Sequence, residues 1–129
     1  MVNDKRLAMS IHKILLVDDS KTELHVLSEL LTKKGYKVRT AENGEEAQRR
    51  LAEEKPDLII MDVVMPGQNG FQLTRAITRD PQFASVPVII CSSKNQETDR
   101  VWGMRQGARD YVVKPVNPEE LLSKIKAFG

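Results

Sequence analysis

Leu58-Ile59-Ile60-Met61-Asp62 runs through four apolar residues without alternation and closes on a carboxylate. A strand with one face in water alternates apolar and polar side chains. An unbroken run of this length suits a strand buried on both faces, as in a parallel sheet. Four further short runs, rich in Val and Ile and mostly not alternating, read in the same way: Ile14 to Val17, Val38 to Ala41, Val86 to Cys91 and Tyr111 to Val113. Segments of helical period lie between them. Leu24, Leu27, Leu30 and Leu31 form one stripe, and Leu121, Leu122, Ile125 and Phe128 another. Ser20 with Glu23, Asn43 with Glu46 and Asn117 with Glu120 have the spacing of helix starts, and Pro118 sits at a favoured first helical position. Gly35 and Gly107 follow helical stretches as C′ glycines. The order reads β-α five times. Right-handed crossovers then predict a doubly wound parallel α/β sheet, whose ligands bind at the carboxyl ends of the strands.

The chain has 129 residues, enough for one domain and too few for two ordinary ones. At this length about two-thirds of the unfolded surface is buried on folding, so no metal or disulfide staple is required. Hydrophobic residues make up 40% and charged residues 29%, and 20 basic against 18 acidic side chains leave a net charge of +2. That charge gives no ground for nucleic acid or an anionic membrane as a partner. Cys91 is the sole cysteine, which fits a reducing, cytoplasmic setting. Residues 1–10 mix Asp4, Lys5 and Arg6 with a few apolar residues and show no secretory signal. They read as an N-terminal extension, mobile by expectation, ahead of a domain over 11–129, with Met9 an equally good start.

The chemistry collects at the predicted strand ends. Asp18 and Asp19 follow the first run, Asp62 the third, Ser92 and Ser93 the fourth, and Lys114-Pro115 the fifth. Taken singly each is bland: an Asp after a strand is usually a turn or cap residue, and Lys-Pro a rigid turn. Four such signals in order along one sheet edge are much harder to dismiss. Three close carboxylates call for a cation, and a hard divalent ion that keeps waters and takes phosphate oxygens is the natural one. With Lys114 and the Ser92 hydroxyl, such an ion makes a cradle for a phosphoryl group, and Asp62 is placed to act as nucleophile.

At this point the sequence resembles the response-regulator receiver domains (CheY-like), the phosphoacceptor modules of two-component signalling. The matching pieces are Ile14 to Ser20, Asp57 to Gly70 with its Met65-Pro66-Gly67-Gln68-Asn69-Gly70 tail, Pro87 to Ser93, and Gly107 to Pro115. The resemblance implies a flavodoxin-like (βα)5 fold with strand order 2-1-3-4-5. It implies Asp62 as phosphoacceptor, with Lys114 and Ser92 assisting. It implies Mg²⁺, with Mn²⁺ a workable substitute, held by Asp18, Asp19, Asp62 and the Val64 backbone carbonyl. Ser92 and Tyr111 correspond to the switch pair, Tyr111 turning inward on activation, and the Lys114-Pro115 peptide is expected to be cis. Gln96 to Gly103 and Arg105 to Tyr111 resemble the twitching-motility regulators of the PilH type, from chemotaxis-like systems that control type IV pili. The implied partners are a CheA-like histidine kinase and a downstream protein bound on the face of the fourth helix, fifth strand and fifth helix. No nucleic acid or membrane insertion is implied, and monomer and weak dimer both stay open.

With Gly129 soon after the fifth helix, no DNA-binding output is expected from this chain. The expected role is a phosphorylation-controlled interaction module that catalyses only its own phosphorylation and dephosphorylation. The alternatives are a phosphate sink or a phosphorylation-independent docking module of the same fold. A haloacid-dehalogenase-like phosphatase would want an Asp where Val64 stands, and the Asp18-Asp19 pair would repel a flavin phosphate. Two departures from the chemotaxis member stand out: Val64 replaces a polar residue, and Lys94 an acid, on the path of attacking water. Slower self-dephosphorylation follows. Cys91 reads as a buried inert thiol, His12 and His25 as non-ligands, Lys33-Lys34 as a helix-end pair, Asp80-Pro81 as a turn, and Trp102 as a packing residue before a partner-binding one.

Overall fold

The computed structural model describes residues 11–65 and 68–129. The extension assigned to residues 1–10, and Pro66-Gly67 of the third-strand motif, lie outside the described residues. Strands β1 (Lys13–Val17), β2 (Lys37–Ala41), β3 (Leu58–Met61), β4 (Val88–Ser92) and β5 (Asp110–Val113) alternate with helices α1 (Lys21–Lys33), α2 (Gly44–Glu53), α3 (Gly70–Arg79), α4 (Glu97–Arg105) and α5 (Pro118–Lys126). All sheet pairings are parallel, and the order is β2-β1-β3-β4-β5, the flavodoxin-like order. One feature beyond the five repeats is a short antiparallel ladder, Val64–Met65 with Gln68–Asn69, between β3 and α3.

Each strand sends alternate side chains to opposite faces. Ile14 and Leu16 of β1, with Leu58 and Ile60 of β3, pack under Leu24, Leu27 and Leu31 of α1 and Leu121 and Ile125 of α5. Leu15 and Val17, with Ile59 and Met61, pack with Leu51 of α2 and Phe71, Leu73 and Ile77 of α3. This two-sided burial is why β1, β3 and β4 read as apolar runs rather than as alternation. The expectation of burial on both faces fails for β2, which lies at the sheet edge and is buried only at Ala41. The β4 run differs from its expected bounds: Val86 and Pro87 precede the strand, and Ser92 is its last residue rather than the first beyond it.

The helix starts are capped where the spacing placed them. Ser20, Asn43 and Asn117 accept hydrogen bonds from the backbone N–H of Glu23, Glu46 and Glu120 at 3.2, 2.8 and 3.1 Å. Asn69 caps α3 in the same manner, accepting from Phe71 N–H at 2.9 Å. Gly35 and Gly107 take φ of +97° and +103°, which only glycine adopts without cost.

Candidate functional site

Parallel register assembles the site before any side chain is considered. Val17 stands opposite Met61, and the ladder continues one step as Asp62 N–H donates to Val17 O at 2.9 Å. Asp18 and Asp62 therefore leave adjacent strand ends side by side. On the other flank Ser92 stands opposite Val113, and Lys114 N–H donates to Ser92 O at 2.9 Å. Four loops thus empty onto one edge of the sheet.

The side chains converge. Asp18, Asp19 and Asp62 each offer an oxygen within 4.8 Å of the others, with Asp18 and Asp62 buried and Asp19 exposed. The Lys114 ammonium donates to Asp18 Oδ2 at 2.7 Å and to Asp62 Oδ2 at 3.2 Å. The other carboxylate oxygens receive backbone donors: Ser20 N–H to Asp18 Oδ1 at 2.9 Å and Val64 N–H to Asp62 Oδ1 at 3.0 Å. The cation that three carboxylates demand is thus supplied in part by the chain itself. Asp18 is paired to Lys114, while Asp19 faces solvent.

Burial raises the Asp62 carboxyl above its ordinary value, against the opposing pull of the Val64 N–H and Lys114. Lys114 also loses solvation, but its hydrogen bond to Asp18 and the charges of Asp62 and Asp18 outweigh that loss and hold it above the ordinary lysine value. The direction that follows from this geometry is a fully charged ammonium. Beneath the pair the packing is tight, with a void of only about 10 Å³ lined by Leu16, Ile60, Cys91 and the two buried carboxylates. Burial pushes the Cys91 thiol up to about 12, which agrees with an inert side chain. The Lys114-Pro115 peptide is cis, as the resemblance implies.

The expected switch residues are both buried, Ser92 at 0% exposure and Tyr111 at 1%. Ser92 Oγ accepts from Lys94 N–H at 3.2 Å, and the Tyr111 hydroxyl donates to Lys94 O at 2.8 Å. The tyrosine ring is therefore already inside. Val64 is exposed beside the site, and the Lys94 ammonium lies 4.0 Å from Asp99 Oδ1. Trp102 corrects the packing expectation: it is 48% exposed on α4, flanked by exposed Val101 and Met104, and Gly103 alone of that helix is buried.

Two contributors escaped the sequence reading. Gly70 lets the start of α3 approach the Asp62 loop, because a Cβ there would lie 2.4 Å from Val63 Cα and 2.8 Å from Asp62 O. The readable signal was a glycine directly after the capping Asn69. Arg100 lies over the Tyr111 ring, Cζ 5.3 Å from its centroid, and no spacing rule links those two positions.

The donor set fits a hard divalent cation: carboxylate oxygens only, one exposed and open to water. No helix among the described residues is long and apolar enough to cross a membrane. The sequence profile described as "Response regulator receiver domain" matches residues 14–126. Protein PilH of Pseudomonas aeruginosa is 54% identical over 115 residues, covering 89% of this chain and 95% of that one. The transcriptional regulatory protein GltR of the same organism is 40% identical over 89% of this chain, which spans 48% of that longer protein. The structure of chemotaxis protein CheY4 of Vibrio cholerae superposes with a TM-score of 0.86 at 33% identity, covering 92% of this chain and 99% of that one.

Proposed function

The chain belongs to the response regulator receiver domain family, and from that premise we propose that it takes a phosphoryl group from a CheA-like histidine kinase onto Asp62. The observation that carries this reading is the meeting of Asp18, Asp19, Asp62 and Lys114 at one sheet edge. An Asp62 carboxylate oxygen attacks the phosphorus of a phosphohistidine. The P–N bond breaks, and the imidazole leaves with the bonding pair and takes up a proton. Lys114 neutralises oxygen charge as it builds, and the Ser92 hydroxyl is one strand away to donate to a phosphoryl oxygen. Asp18, Asp19 and Asp62, with the Val64 carbonyl, would hold Mg²⁺. When bound, that ion supplies Lewis-acid stabilisation of the phosphoryl oxygens. Val64 N–H and Lys114 fix the two Asp62 oxygens, so the nucleophile is oriented before the donor arrives.

The modification then biases protein contacts rather than a chemical reaction on a substrate, and the domain catalyses only its own gain and loss of phosphate. The output face is α4, β5 and α5, where exposed Val101, Trp102 and Met104 give a partner an apolar anchor. The likeness to PilH supports a cytoplasmic role in a chemotaxis-like system that governs type IV pilus twitching motility. The test is intact mass after acetyl phosphate treatment, with and without Mg²⁺. One Mg²⁺-dependent phosphoryl adduct is expected in the parent chain and none in Asp62→Asn. An adduct that persists in Asp62→Asn removes Asp62 as the acceptor.

A further inference from the structure

The inward place of Tyr111 has two restraints that do not involve the acidic pocket. Its hydroxyl donates to Lys94 O at 2.8 Å, and the Arg100 guanidinium lies over its ring at 5.3 Å. Both restraints come from the segment that joins β4 to α4 and from the first turn of α4. That helix is otherwise thinly attached. Its only buried residue is Gly103, whose missing side chain lets it approach the same ring: a Cβ there would lie 3.4 Å from Tyr111 Cδ2 and 2.7 Å from Ile90 Cδ1. Arg100 is itself exposed, so its charge keeps its water while its flat face covers the aromatic ring. Lys94 ties the arrangement to the pocket, because its N–H donates to Ser92 Oγ while its carbonyl receives the Tyr111 hydroxyl.

We infer that Arg100 is a positioning residue that clamps Tyr111 inward before any phosphoryl group reaches Asp62, so that α4 is held in the tyrosine-in arrangement in the resting domain. This rests on the reading of Ser92 and Tyr111 as the switch. The clamp acts on the resting equilibrium, not on the transfer chemistry, since Arg100 touches neither Asp62 nor Lys114. A solvent-exposed guanidinium over an aromatic ring shifts such an equilibrium by roughly two- to fivefold. Arg100→Ala should therefore raise the population of the outward ring by that factor. Arg100→Lys, which keeps the charge but not the flat face, should restore only part of the inward bias. Arg100→Ala combined with Tyr111→Phe removes both restraints and should release the ring further than either change alone.

The experiment is ring-selective NMR of the two tyrosines in the full chain, without phosphodonor and then with beryllofluoride and Mg²⁺. Buried Tyr36 serves as the internal reference. The expected result is a Tyr111 ring signal displaced in Arg100→Ala, partly returned in Arg100→Lys, with Tyr36 unmoved and the acetyl phosphate adduct still formed. An unmoved Tyr111 signal in Arg100→Ala overturns the clamp. Displacement of both tyrosines together also overturns it, because that reports general loosening. If beryllofluoride with Mg²⁺ fails to return the displaced Tyr111 signal of Arg100→Ala toward its inward position, the switch reading fails, and that failure is distinct from an unmoved signal in the donor-free variant.

Discussion

At the scale of single residues the site is a problem in charge compensation. Lys114 is the one ammonium set between two buried carboxylates, at 2.7 Å from Asp18 and 3.2 Å from Asp62. Removing one member of a buried ion pair leaves the other charges uncompensated, at about 3–5 kcal/mol in well-enclosed cases. Here the pocket mouth is open at Asp19, so Lys114→Met should lower stability by about 2–3 kcal/mol, with Mg²⁺ restoring part of the loss by taking over the compensation. Denaturant midpoints with and without Mg²⁺ measure both effects, and a Lys114→Met domain indifferent to Mg²⁺ contradicts the argument. The two water-path positions separate from each other in the structure. Val64 is exposed and apolar beside Asp62 and cannot orient water, whereas the Lys94 ammonium is drawn toward Asp99. The long phosphoryl lifetime expected of this domain should therefore depend mainly on Val64. Val64→Glu should shorten it severalfold and Lys94→Ala by less, as read from decay of the phosphorylated species after donor removal. A parent-chain lifetime of seconds or less would refute the expectation.

At the scale of elements, what could be read in advance follows from how local each signal is. The β3 run and the helix caps at Ser20, Asn43 and Asn117 depend on neighbours within four positions, so sequence spacing carries them. The Val64–Met65 and Gln68–Asn69 ladder did not announce itself, because two-residue strands have no periodicity to detect. Val86 and Pro87 look like strand residues by composition. However, the β3–β4 ladder begins at Ile59 opposite Val88, with Pro87 contributing only its carbonyl to Ile59 N–H. The two C′ glycines were equally legible but are not equally placed. Gly35 has nothing within 4 Å of a built Cβ, whereas at Gly107 that atom would lie 2.4 Å from Thr78 Oγ1, the hydroxyl that donates to Gln106 O at 2.8 Å. Gly35→Ala should therefore cost only the left-handed strain of about 1–2 kcal/mol. Gly107→Ala adds a collision that breaks the tie between α3 and α4, and should cost about 1–3 kcal/mol more. Thermal unfolding of the two variants checks the order, and equal losses would show that Thr78 yields freely.

At the scale of the whole molecule, the sheet edge was legible because parallel topology brings every βα loop to one end, so order along the chain stands in for proximity. That is why Asp18, Asp19, Asp62, Ser92 and Lys114 could be grouped although Asp18 and Lys114 lie 96 positions apart. The contact of Arg100 with Tyr111 was not legible, because it depends on how far α4 settles onto β4 and β5, and Gly103 sets that through a missing side chain. The same topology makes one further consequence testable. Asp19 is exposed and stands outside the Lys114 ion pairs, so it contributes little to the fold and is free to serve a cation. A ligand that binds only the folded state stabilises it by RT ln(1 + [L]/Kd), about 2.7 kcal/mol at a hundredfold excess over Kd, which is several degrees in Tm for a domain of this size. Mg²⁺ should therefore raise the Tm of the parent chain, while Asp19→Asn should leave the metal-free Tm within about a degree and abolish most of the rise. Asp19→Asn should slow acetyl phosphate labelling to match, because the lost metal affinity and the lost transfer rate have one origin. If Asp19→Asn keeps the full Mg²⁺-induced rise, the cation sits elsewhere, and the three-carboxylate cluster is a structural feature compensated by Lys114 alone.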